Sequence, residues 1–135
     1  MIRPVFYALA LAAITASPAA AFRASNSHEV NPIDRTTFEV LRRPHSGPAP
    51  VWCAAGDYAR SVLGLPGNAR LYIAKGRSDS VTRPGRVAFR FTTTPPSGVD
   101  PNAPKPLTLN LNRVGDSLSV VSAWMYCLDN IPERP

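Results

Sequence analysis

The chain has two cysteines, Cys53 and Cys127, and whether they are joined constrains the fold more than any other feature. A bridge between them would tie the middle of the chain to its carboxyl-terminal segment. It would close a loop of about 75 residues and stabilise the fold by roughly 4 to 5 kcal/mol in a chain-entropy estimate. Whether that bridge forms depends on the compartment, so the amino terminus has to be read first.

The chain opens M-I-R-P, continues with the apolar run Val5 to Ile14, and then passes through the small residues T-A-S-P-A-A-A before Phe22. A charge, a short apolar run and small residues, in that order, form the pattern of a secretory signal peptide, with the cut expected after Ala21. The apolar run is about half the roughly 20 residues needed to span a bilayer, so no transmembrane segment is expected after processing. The expected organisation is a signal peptide over 1–21, a flexible leader over 22–34 and one globular domain over 35–135. Export, to the periplasm or the medium, makes one Cys53–Cys127 disulfide the simplest pairing.

Period-two alternation marks the strands. T-T-F-E-V-L at 36–41, R-V-A-F-R-F-T at 86–92 and L-T-L-N-L-N at 107–112 alternate apolar with polar or smaller residues, and R-L-Y-I-A-K at 70–75 is short and rich in strand formers. In 86–92, Val87, Phe89 and Phe91 form an apolar face, leaving Arg86, Ala88 and Arg90 for a wet one. Half-buried strands of this kind pair antiparallel. The run from Leu118 to Leu128 fits either a strand pairing with 107–112 or a helix capped by Ser117 or Ser119, and a short strand running into a helical turn is the preferred reading. The linker at 94–106 is rich in proline, which limits its freedom without making it regular.

The stretch P-A-P-V-W-C-A-A-G-D-Y-A-R-S-V-L-G, residues 48–64, reads as a helix from about Val51 to Leu63 ended by Gly64 and Pro66. At 100° per residue, Val51, Trp52, Ala54, Ala55, Tyr58, Ala59, Val62 and Leu63 fall on one half of the wheel. Cys53, Gly56, Asp57, Arg60 and Ser61 fall on the other. The expected fold class is α+β: one helix packed on a small antiparallel sheet, in a single disulfide-stapled domain.

Catalytic chemistry has little to rest on. A cysteine in the first turn of a helix has a depressed pKa, so the alternative to a staple is a thiol-dependent hydrolase using Cys53 with His45, or His28, as base. The chain has no C-x-x-C, no G-x-S-x-G and no phosphate-binding glycine loop. Two histidines in coil, without cysteines or carboxylates at ligand spacing, imply neither a metal nor a cofactor.

Charge is the remaining signal. The formal net charge is +6, and between Arg70 and Arg90 six basic residues face one acid, Asp79. With strands at 70–75 and 86–92, this becomes a basic hairpin in which Arg77, Arg83, Arg86 and Arg90 are the candidate binding residues. The expected partner is an anionic envelope polymer or protein, since arginine forks suit carboxylate and phosphate groups. Nucleic acid is not expected, because no aromatic residue is interleaved with the outward arginines. The competing reading is a solvated face that blunts a sheet edge. On balance the sequence describes a non-catalytic binding or structural domain.

Overall fold

The structure, a computed structural model, describes residue 2 and residues 21–100, 102–104 and 108–130. The predicted signal peptide falls almost wholly outside the described residues. Among the described residues six strands form one sheet: β1 (Phe22–Arg23), β2 (Glu29–Pro32), β3 (Thr37–Leu41), β4 (Arg70–Asp79), β5 (Val87–Thr92) and β6 (Ser117–Ser119). Their order is β1-β2-β3-β5-β4-β6, and every neighbouring pair is antiparallel. Two helices, α1 (Pro48–Ser61) and α2 (Val120–Met125), and a 3₁₀ turn at Leu128–Asn130 complete the fold. The α+β class expected from the sequence is what the chain adopts.

Register lines up the core in rows across the sheet. Val30 lies opposite Val40 and Val40 opposite Phe89, while Phe38 lies opposite Phe91 and Phe91 opposite Ile73. Above these rows, α1 lays Val51, Trp52, Ala55, Tyr58 and Ala59, all buried. Trp52 meets Phe91 edge-on at 4.9 Å between ring centroids, and Tyr58 meets Phe38 at 4.7 Å. Fully burying side chains of this kind contributes about 1.5–3 kcal/mol each relative to leaving them exposed.

The helix begins three residues before the expected start. Pro48 and Pro50 sit in its first turn, where the amide hydrogens they lack would have no intrahelical acceptor. At the other end, Val62 N–H and Leu63 N–H both donate to Tyr58 O, and Gly64 takes φ +64°, the left-handed conformation that closes a helix. Val62 serves as the C-cap and stands exposed.

The wheel's polar half is not a solvent face. Cys53 and Gly56 are buried because α2 lies across them. A Cβ on Gly56 would come within 2.5 Å of Trp124 N and 2.9 Å of Ala123 C, so the helices meet backbone to backbone at this residue. Nearby, the Arg60 guanidinium stands 4.3 Å over the Trp124 ring. Gly56→Ala is therefore expected to push α2 outward and lower stability by about 1–3 kcal/mol. Urea denaturation would show this as a lower midpoint, and a wild-type midpoint would mean that the two helices do not pack as described.

Three further segments differ from their sequence reading. Residues 22–34, expected as a flexible leader, instead supply β1 and β2 and bury Ala24, His28, Glu29, Val30 and Asn31. Their period is hidden because three of these five residues are polar and find partners inside. Residues 108–112, in the segment with the clearest alternation, form no strand. Asn110 Oδ1 accepts from the backbone N–H groups of Asn112 and Arg113, an Asx-type turn that competes with a ladder. Leu111 is still buried, and Asn110 O receives the Trp52 indole N–H at 3.1 Å.

The third difference lies on the sheet face away from α1. Ala88 and Leu41, on the face expected to be wet, are each only 1% exposed. The β4–β5 loop folds back over this face and covers it, which determines where the candidate arginines point. The carboxyl-terminal run does follow its reading, as a three-residue strand leading into a short helix capped by Ser119, whose side chain accepts from Ser122 N.

Candidate functional site

Cys53 and Cys127 are joined, with an S–S distance of 2.17 Å and a Cα–Cα distance of 4.9 Å. The wheel placed Cys53 correctly on the side away from the sheet, and α2 delivers Cys127 to that side. The alternative hydrolase therefore has no thiol. His45 is exposed, in the loop between β3 and α1. Among the described residues no group of His, Cys, Asp and Glu could hold a metal ion.

The four candidate arginines have different environments. Arg83 is held by Glu29: its Nε and Nη2 donate to the two carboxylate oxygens at 2.8 and 2.7 Å. Glu29 is also the acceptor of Asn31 Nδ2 at 3.0 Å. The Arg83 hydrogen bond, working against burial, holds the Glu29 pKa below the usual glutamate range, and the Asn31 bond adds to it. Arg86 is exposed and reaches Arg42 O with Nη2 at 3.3 Å. Arg77, in β4, is exposed, its backbone N–H fixed by Asn112 Oδ1 at 3.0 Å. Arg90 is half-buried between Glu39 and Lys75 in the ladder, with Nε buried.

Glu39 explains the loop. It is 1% exposed on the outer face and accepts from the Ser80 hydroxyl, the Thr82 hydroxyl, Thr82 N at 3.0 Å and Val81 N at 3.2 Å. Burial raises its pKa, but the hydrogen bonds from Ser80, Thr82 and Val81 outweigh burial and hold it below the usual range. The carboxylate thus replaces the solvent that loop amides and hydroxyls would otherwise need. Together with Glu29 it withdraws two negative charges from the surface. Among the described residues, ion pairs join Arg83 to Glu29 and Arg113 to Asp116, and none joins Arg77, Arg86 or Arg90 to a carboxylate.

A second group escaped the sequence reading. Where the turn at 25–28 meets the segment 43–50, an open cleft of about 390 Å³ is lined by residues that include Asn26, Ser27, His28, Arg43, His45 and Ser46. His28 is buried, with Nδ1 3.1 Å from Leu41 O and Nε2 2.9 Å from Ser46 Oγ. Burial lowers the His28 pKa, partly offset by the Leu41 carbonyl and assisted by the charge of Arg43. The only sequence signal was composition: S-N-S-H and R-R-P-H-S-G-P both read as plain turns, and nothing in either predicts that they meet.

These features define a small, disulfide-linked α+β domain with exposed arginines on the β4–β5 hairpin and a polar cleft beside the 25–28 turn. Comparison with known protein families, with curated protein sequences and with solved structures finds no match.

Proposed function

We propose that the chain is an exported, non-catalytic binding domain whose exposed arginines engage an anionic component of the cell envelope or the medium. The observation that carries this reading is the withdrawal of Glu29 and Glu39 into internal bonds, which leaves Arg77, Arg86 and Arg90 without carboxylate partners among the described residues. Arg86 lies against the backbone of Arg42, so the cationic surface continues from the hairpin into the segment that carries Arg42 and Arg43. Arg83 is not part of the contact surface; it holds the loop in place. The amino-terminal signal pattern and the oxidised cysteine pair support a periplasmic or extracellular site.

The test compares two matched double variants on an anionic matrix. Arg77→Gln with Arg86→Gln should weaken binding about fivefold, as two exposed contacts of about 0.5 kcal/mol each imply. Arg35→Gln with Arg113→Gln removes the same charge and should have little effect. Wild-type binding should also weaken with added salt, which screens exposed charges beyond about 8 Å at physiological ionic strength. Equal losses in both variants would reduce the effect to net charge and remove the site.

A further inference from the structure

We propose that the cleft between the 25–28 turn and the 43–50 segment is an oxyanion-binding site, in which the His28–Ser46 pair couples ligand binding to the uptake of one proton. This rests on the reading of the protein as an anion binder and names where a single charged group would be held.

Among the described residues the lining carries cationic and neutral side chains and no carboxylate. The Arg43 guanidinium uses one donor on Asn26 O, at 3.0 Å, out of the five it has. The direction of the His28–Ser46 bond follows from its surroundings. Leu41 O can only accept, so the proton of the neutral ring is on Nδ1 and Nε2 is the acceptor. Ser46 then donates to Nε2 and presents lone pairs to the cleft, which repels an anion. When the ring takes a second proton from solvent, the bond reverses: Nε2–H donates to Ser46 Oγ, and the hydroxyl hydrogen is released toward the cleft. One proton thus adds a positive charge and turns an acceptor into a donor.

Charged neighbours leave this control to the ligand. On the loop, the charge of Arg43 disfavours the protonated ring, and His45 stands beside it in the lining. On β2, Glu29 is taken up by Arg83. On α1, Asp57 is taken up by Ser25 N at 2.8 Å and the Ser61 hydroxyl at 3.2 Å. The buried ring is therefore neutral near pH 7 until an anion compensates its charge.

Backbone conformation supports a built site. Among the described residues, the non-glycine residues with positive φ are Ser27 (φ 70°) and His45 (φ 61°), and both line this cleft. Each immediately precedes one member of the pair. Left-handed conformations in non-glycine residues gather at ligand clamps.

The experiment titrates the oxidised full-length protein with inorganic sulfate, which stays dianionic while histidines titrate, and follows both histidine rings by NMR. Affinity should rise by up to about tenfold per pH unit as pH falls through the His28 transition, the slope of one coupled proton. Sulfate should raise the pKa of His28. Arg43→Gln should weaken binding at every pH, and Ser46→Ala should remove most of the gain at low pH. Both substitutions lie at the cleft rim and keep the protein testable if a His28 variant fails to fold. A short polyglycerol-phosphate chain forms a second arm: tighter binding than sulfate at equal anion concentration identifies a polymer end as the source, and equal binding identifies a free ion. Sulfate that does not bind, or binds without a pH slope, overturns the cleft site. If matrix binding still depends on Arg77 and Arg86 in that case, the anion-binding reading stands without it; loss of both results removes both.

Discussion

Replacing either Cys53 or Cys127 with serine is expected to destabilise the protein by about 4 to 5 kcal/mol, and replacing both should cost little more than replacing one. The bridge spans a sequence separation of 74, and closing a loop of that length removes this much conformational freedom from the unfolded chain. In the folded state it fixes the segment following α2 to a helix that is itself seated on the sheet. α2 is six residues long, with two of them buried, and would hold poorly on its own. Urea denaturation of the single and double variants, against the oxidised wild type, measures the three differences. Losses that add would mean that the sulfurs act independently.

Glu39→Leu is expected to cost about 3 kcal/mol, the second-largest effect. The substitution is close to neutral for packing but leaves Val81 N without its acceptor and Thr82 N with only Ser80 Oγ, at 3.2 Å, under a folded loop, and an unsatisfied buried group costs about 1–3 kcal/mol. The hydroxyls of Ser80 and Thr82 can turn to other partners, and Thr82 N keeps Ser80 Oγ; Val81 N has no such alternative. Limited proteolysis should then cut within 80–86, where the wild type resists. The acid limb of the stability curve should flatten as well. Glu39 and Glu29 both have folded pKa values held below the unfolded ones, so their contribution is present above about pH 4.5 and disappears as pH falls through the folded values. Unchanged stability in Glu39→Leu would mean that the loop is held by something else.

The inner face of the sheet was legible because it obeys a single rule. Phe38 and Val40, and Val87, Phe89 and Phe91, alternate as strand residues do, and α1 carries a broad apolar face over them. The outer face was not legible. Arg86, Ala88 and Arg90 have the pattern of a wet face, but their neighbour Glu39 recruits a loop from more than forty positions away, and no local period encodes that contact. β2 was missed for the same reason, since His28, Glu29 and Asn31 are buried polar residues whose partners are distant in sequence. Leu109 and Leu111 show the opposite failure: apolar alternation was present, but the Asn110 side chain takes up the backbone amides of Asn112 and Arg113 in place of a ladder. The cysteine pair was legible from count and compartment. The surroundings of its first sulfur were not, because a glycine in α1 gave no sign that a second helix would lie on it.

The central claim is that a defined set of exposed arginines, and not overall charge, contacts an anionic partner. The most direct measurement is a titration of the isotope-labelled protein with a soluble polyanion, reading the arginine Nε–H signals. Arg77, Arg86, Arg42 and Arg43 should shift together and saturate together, while Arg83, held on Glu29 by two hydrogen bonds, should stay in place along with Arg35 and Arg113. Shifts spread equally over Arg35 and Arg113, or a displaced Arg83 signal, would contradict the account.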